Sequence, residues 1–220
     1  WLRLTQFPMV PGNQPLVAHA GPGRAVARVV VFKITAPVGT FSANDQFWAE
    51  LNEDALDSKT SVLMAQNGLR AGTGPLERWP ALSKLVAVPG ASTDKFVCET
   101  NGRSSLNVIT RPAVADQIVV SIDRDLEQRG RAFEKCDDGF RLAMRTLPNS
   151  AALTVQLEPV VALGTVEVLR PRNSLGVVRQ ELPSEESFPD LRMAVTLSPS
   201  QFLVLSPVDP KDNQFSVGSL

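Results

Sequence analysis

The chain has no tyrosine, a single histidine and two cysteines. Each scarcity removes a class of chemistry. With His19 as the only imidazole, and that in a Pro/Gly-rich stretch, a nucleophile activated by histidine has one place to be, and no Gly-x-Ser-x-Gly elbow accompanies it. Cys98 and Cys136 have no second cysteine or histidine at ligand spacing, which argues against a zinc site. Two cysteines allow one intramolecular bridge, Cys98 to Cys136, suited to an oxidising compartment; two free buried thiols are the equal alternative. Without tyrosine, and with no aromatic residue among its basic positions, the chain lacks a platform for stacking bases.

Charge of one sign is also missing. The formal net charge is −1, so no global field favours nucleic acid or an anionic membrane. Arg124, Arg129, Arg131 and Lys135 cluster, but Asp123, Asp125, Glu127 and Glu134 are interleaved with them, as in a solvated mixed-charge strand or loop. Long apolar runs are absent too. The longest, Val26 to Ile34, is interrupted by Arg28 and Lys33 and falls far short of the roughly 18 residues that cross a bilayer as a helix.

What remains is ordinary globular composition, 43% hydrophobic and 20% charged, in a chain long enough for one large or two smaller domains. Residues 1–24 form a Pro/Gly-rich arm whose Trp1, Leu2, Leu4, Phe7 and Met9 are too apolar for a solvated tail. The arm is expected to dock on its own domain or on a neighbouring subunit, with Trp1, Leu4 and Phe7 as contacts. It opens without a methionine or a basic-then-apolar leader pattern, which reads as a processed mature end or an expression boundary.

Residues 25–94 read as an α/β portion. Val26, Val29, Val30, Val31 and Ile34 make a central strand. Asn44 and Asp45 cap a short helix bearing Phe47, Trp48 and Leu51, and Asp57 caps a second that carries Val62, Leu63 and Met64 and ends at Asn67-Gly68. A third is expected over Pro80 to Leu85. Gly21-x-Gly23 and Gly72-x-Gly74 lack the spacing of phosphate-binding loops and read as turns.

Residues 95–220 read as antiparallel β, either separate from the preceding portion or continuous with it. Strands are expected at 106–111, 117–123, 140–147, 152–161, 165–169, 176–180, 191–197 and 202–205. Leu153, Val155 and Leu157 face a core, and Thr154, Gln156 and Glu158 face solvent. Asp137-Asp138-Gly139, Pro148-Asn149-Ser150 and Ser198-Pro199-Ser200-Gln201 are the expected tight turns, and 182–190 a long exposed connection. The fold class is therefore α+β and β-rich, mainly an antiparallel sandwich or open barrel with a short helical insert near residues 43–86.

Two carboxylate groups qualify for chemistry. Asp123-x-Asp125-x-Glu127 places three acids on one strand face, enough to hold a hard cation such as calcium, although the EF-hand glycine and distal glutamate are missing. Glu50, Glu53, Asp54 and Asp57 surround a helix junction, where capping explains them better than acid/base catalysis.

The block Asn44-Asp45-Gln46-Phe47-Trp48, then Leu56, then Asn67-Gly68-Leu69-Arg70-Ala71-Gly72 resembles a block in uncharacterised envelope proteins of planctomycete-type bacteria. The strand of 191–197, the turn at 198–201 and the strand Phe202 to Leu205, with Leu157-Glu158-Pro159-Val160 upstream, look like the late strand pair of secretin-type outer-membrane channels, without their glycine-rich ending. These resemblances imply a setting outside the cytoplasm, in the periplasm or at the cell surface. The function expected is a non-catalytic, oligomeric structural or binding module of an envelope or surface assembly, with other protein subunits or further copies of itself as partners and no cofactor. The alternatives are an envelope-polymer-binding or hydrolytic domain using carboxylates such as Asp123, Asp125, Asp137 or Asp138, and a secretin-related pore component.

Overall fold

The structure is a computed structural model describing residues 2–3, 27–37, 39–42, 44–100, 102–148, 150–171, 177–208 and 215–219. Among these residues ten strands form two antiparallel five-stranded sheets, neither of which closes into a barrel. The first runs β3 (Leu69–Pro75), β10 (Gln201–Pro207), β1 (Leu2–Arg3), β2 (Ala27–Thr35), β4 (Ser92–Thr100). The second runs β5 (Arg103–Ile122), β6 (Gln128–Thr146), β7 (Leu153–Pro171), β8 (Val177–Ser187), with β9 (Met193–Leu197) also on β7.

β2 and β10 alternate between two cores because the first sheet is covered on both faces. Ala27, Val29, Val31, Leu203 and Leu205 point into a cluster shared with Val108, Leu142, Met144, Val155 and Leu157 of the second sheet. Ile34, Phe202 and Val204 point the other way, beneath helices α1 (Asp45–Ala49) and α3 (Trp79–Val86), which contribute Phe47, Trp48, Trp79 and Leu82. Trp79 stacks on Phe32 and meets Phe202 edge-on, with centroids 6.1 and 5.5 Å apart. A β strand buried on both sides reads as a near-continuous apolar run, and in β2 that run is Val29 to Phe32, bounded by the exposed Arg28 and by Lys33. Residues from before and after position 95 share the inner core, and β10 completes the sheet containing β2 to β4.

The helix boundaries follow the cap chemistry. Asn44 Oδ1 accepts the Phe47 amide at 3.0 Å, and Asp57 Oδ1 accepts that of Thr60 at the start of α2 (Ser58–Gln66). The Thr60 hydroxyl and amide hold the Asp57 carboxyl below its usual range. Gly68 closes α2 with φ +76°, a conformation that costs glycine nothing. Leu63 and Met64 are buried, but Val62 is exposed on the outer side of α2.

Several expected turns are strand. Gly72-x-Gly74 lies inside β3, where missing side chains admit neighbours: a Cβ on Gly74 would sit 2.7 Å from Phe202 Cζ, and one on Gly72 3.1 Å from Leu51 Cβ. Asp137-Asp138-Gly139 lies inside β6, paired to β5 and β7. The stretch expected as a long connection after 182 continues β8 to Ser187, followed by a single 3-10 turn, Pro189–Leu191, that buries Phe188 and Leu191. Ser198-Pro199-Ser200-Gln201 does turn, but it is a corner between sheets: β9 pairs with β7, whereas β10 pairs with β3 and β1.

A fully buried amide links the two layers. Asn67, at the end of α2, accepts the Ile122 amide on Oδ1 at 2.8 Å and donates Nδ2 to the Ile122 carbonyl at 2.9 Å and to Leu63 at 2.8 Å. Its own carbonyl accepts from Gly218 at 2.8 Å. Asn67→Ala strands both peptide groups of Ile122, at about 1–3 kcal/mol for each polar group left unpaired. The expected result is a lower urea midpoint with an unchanged m-value, and a loss below about 0.5 kcal/mol would show that water replaces the amide.

Candidate functional site

Three carboxylates are buried among the described residues, Asp123, Asp138 and Glu158, and arginine reaches each of them. Residues 123–127 form the turn between β5 and β6, so Asp123, Asp125 and Glu127 are not on one strand face. Asp123 Oδ1 accepts the amides of Asp125 and Glu127 at 3.0 and 2.9 Å, and Oδ2 accepts Arg129 Nη2 at 2.9 Å. The same guanidinium nitrogen lies 3.1 Å from Glu127 Oε2, and the two carboxylates hold the Arg129 pKa above its ordinary value. This is an Asx-type turn stabilised by a cation from the protein itself. No group of three or more His, Cys, Asp or Glu side chains positioned for a metal occurs among the described residues.

The second cluster lies at a bulge. The β5–β6 register slips between Ile109 and Arg111 and again before Val114, with Ala113 at φ 55° and Lys135 at φ 50°. The slip turns Arg111 onto Asp138, whose Oδ2 accepts Nε at 2.9 Å and Nη2 at 2.5 Å. Gln117 donates Nε2 to Asp138 Oδ1 and to Cys136 Sγ, the latter at 3.2 Å, and accepts Arg111 Nη2 on its own oxygen. Asp137 Oδ1 accepts the Ala113 amide at 2.7 Å, tying down the strained residue. A Cβ on Gly139 would lie 2.4 Å from the Val108 carbonyl oxygen, so the turn-like Asp-Asp-Gly triplet serves close strand approach.

Glu158 organises the third. Alternation along β7 assigns it to solvent with Thr154 and Gln156, yet it is only 5% exposed because the Pro189–Leu191 turn brings Arg192 over it. Arg192 Nη2 and Nε lie 3.0 and 3.3 Å from Glu158 Oε2, and Arg141, directly across on β6, lies 3.6 Å away. Arg141 also binds Glu185 of β8, and Arg131 binds Glu186, so acids and arginines alternate across three strands. None of these partners is close in sequence: Arg111 and Asp138 are 27 positions apart, Glu158 and Arg192 34. A local reading has no signal for either pair.

Both cysteines are free thiols in different sheets, Cys98 on β4 and Cys136 on β6, so the Cys98–Cys136 bridge is not formed. Burial pushes the Cys136 thiol up, which keeps it protonated and unreactive. Trp1, Leu4, Phe7 and His19 lie outside the described residues.

Among the described residues the sheets end in β3 and β4 in the first and in β5 and β8 in the second. β4 pairs with β2 over nine residues, Ala27↔Thr100 to Thr35↔Ser92, and ends the order of its sheet, so its other side meets no strand among the described residues. Val97 is exposed there beside Asp94, Lys95 and Glu99. The opposite edge is blunted, since Thr73 of β3 exchanges two bonds with Asn52 at 2.7 and 2.9 Å.

Two measurements check these assignments. Arg111→Met leaves Asp138 as a buried anion without its cation and should cost about 3–5 kcal/mol, whereas Arg111→Met with Asp138→Leu recovers most of that loss; equal losses would mean the pair is solvated. Under a thiol reagent at neutral pH, Cys98 should react quickly and Cys136 only at the rate of unfolding, so two equally fast phases would contradict the burial of Cys136.

Compared with protein-family models, curated proteins and solved structures, the chain matches none.

Proposed function

We propose that this protein is a non-catalytic structural or binding module that joins other protein subunits through the main chain of its sheets, as part of a cell-envelope or surface assembly outside the cytoplasm. The observation that carries this reading is β4, a nine-residue strand with one side open to pairing. An exposed edge is a template for strand addition, in which main-chain hydrogen bonds supply affinity and alternate side chains supply selectivity. Val97 is an apolar anchor on that edge, and Asp94, Lys95 and Glu99 are charges that select a partner.

Two of the three buried carboxylates, Asp123 and Asp138, support the same choice. Acid/base chemistry by a pair of carboxyl groups requires both to face one cleft with at least one free to exchange a proton. Asp123 and Asp138 are instead held by arginine and by amide donors, and Asp137 restrains a strained peptide. The resemblance of the Asn44–Trp48 and Asn67–Gly72 blocks to envelope proteins supplies the extracytoplasmic setting. The secretin-like reading is the weaker one, because β9 and β10 pair in different sheets.

Native mass of the protein purified from its source, with the co-purifying chains identified, tests the proposal. A stoichiometric complex of several chains is expected. A clean monomer at its cellular concentration would overturn the assembly reading and return attention to the carboxylates.

A further inference from the structure

Of the strands that end the two sheets among the described residues, three are taken up or interrupted along the outer side. Thr73 of β3 is bonded to Asn52. On β5 the Val120 amide donates to the Phe215 carbonyl at 2.6 Å, and Ile122 is paired by the Asn67 side chain. β8 contains Pro183, which has no amide to donate. β4 differs from all three: its nine residues include no proline, and its register against β2 runs from Ser92 to Thr100 without a slip.

The side chains along this edge form a pattern. Phe96 and Cys98 pack against the inner core, so Lys95, Val97 and Glu99 share the outer face, where all three are exposed, Val97 by 46%. Asp94 is engaged by Lys33 at 3.1 Å, whereas Lys95 and Glu99 take part in no ion pair among the described residues. Charges on an edge strand discourage pairing with a chance partner. Here they are matched for one particular partner. A two-fold axis normal to the sheet at Val97 sets Val97 opposite Val97 of a second copy, Lys95 opposite its Glu99 and Glu99 opposite its Lys95, with Phe96 opposite Cys98 on the inner face. Moving the axis to Lys95 or Glu99 brings like charges face to face, and moving it to Phe96 or Cys98 sets Lys95 or Glu99 against Val97. Directly opposed unlike charges stabilise a strand pair and like charges destabilise it, so β4 is complementary to itself in one antiparallel register. Such a contact uses the same patch on both copies and closes at two.

We infer that β4 is the contact between two copies of this chain, paired antiparallel about Val97, so that the first sheet continues from one copy into the other. The inference rests on the reading of the protein as a module that joins subunits through its sheets, and it names one partner and the register.

The test measures the mass of the purified full chain by sedimentation equilibrium over a dilution series. Lys95→Glu and Glu99→Lys each place two like-charged pairs at the junction and should raise the dimer Kd about tenfold or more, whereas the double variant should restore it and the two single variants, mixed, should associate with each other. Register is read separately in a Cys98→Ala background: oxidation should link copies through Val97→Cys but not through Lys95→Cys, which faces Glu99 rather than itself. Positions 95 and 99 are exposed, so the charge variants test the pairing even if a cysteine variant fails to fold. A chain that stays monomeric up to about 0.1 mM overturns the inference. So does a dimer indifferent to the charge reversals, or one linked through Lys95→Cys in preference to Val97→Cys. A pure chain that is monomeric, although material from its source is in a stoichiometric complex with other chains, removes this inference and leaves the assembly reading standing; a monomer from the source removes both.

Discussion

Ile122 ends a strand of twenty residues, and on the side away from β6 its peptide group is paired by the Asn67 amide. The Asn67 side chain acts as one residue of a missing strand, accepting and donating at once. Because Asn67 also closes α2 and receives the Gly218 amide, three segments distant in sequence converge on a buried group with every hydrogen-bonding position filled. The inner core lies between the layers joined here. Val119 and Phe133, on the outer half of the β5–β6 ribbon, are buried in it with Leu63, Met64 and Val217. Without this junction a two-stranded ribbon would have to stand alone, which is marginal in water.

The same ribbon shows how polar groups are accommodated away from solvent. Asp138 and Glu158 would each be costly as isolated anions. Arginine pairs with both, on Oε2 alone in Glu158, whose Oε1 is buried without a hydrogen-bond partner, and its partly exposed head keeps part of its hydration while one edge pairs with the acid. Two carboxylates are reached through irregularities: the bulge at residues 109–114 aims Arg111, and the Pro189–Leu191 turn aims Arg192. The irregular backbone is therefore part of the electrostatics.

Much of the fold was legible in the residues because its cause is local. The β-branched run of β2, the Asn44 and Asp57 caps and Gly68 at the end of α2 act within a few residues of themselves. The failures share a different cause. Gly72, Gly74 and Asp137-Asp138-Gly139 carry turn chemistry, but their small side chains serve to let Phe202, Leu51 and the Val108 carbonyl approach, which depends on strands far away in sequence. Glu158 sits at an outward position of a correctly read alternation and is buried by a turn that begins 31 residues later. The candidate cation site failed for the opposite reason, since Asp123, Asp125 and Glu127 do lie together, but in a turn whose own amides and Arg129 take the Asp123 oxygens.

The placement of β10 has a consequence for the order in which the molecule is made. β5 to β8 pair with sequence neighbours, so the second sheet grows as hairpins while the chain emerges. The first sheet cannot: β3 waits for β10, whose residues follow it by more than a hundred positions, and β1 lacks its partner Leu203 until then. Pairing across so long a separation is slow, because chain entropy is lost before contacts form. During synthesis the apolar residues of β2 therefore lack the cover of Phe202, Leu203 and Val204 until the end of the chain arrives, and apolar surface left open in this way is prone to wrong partners.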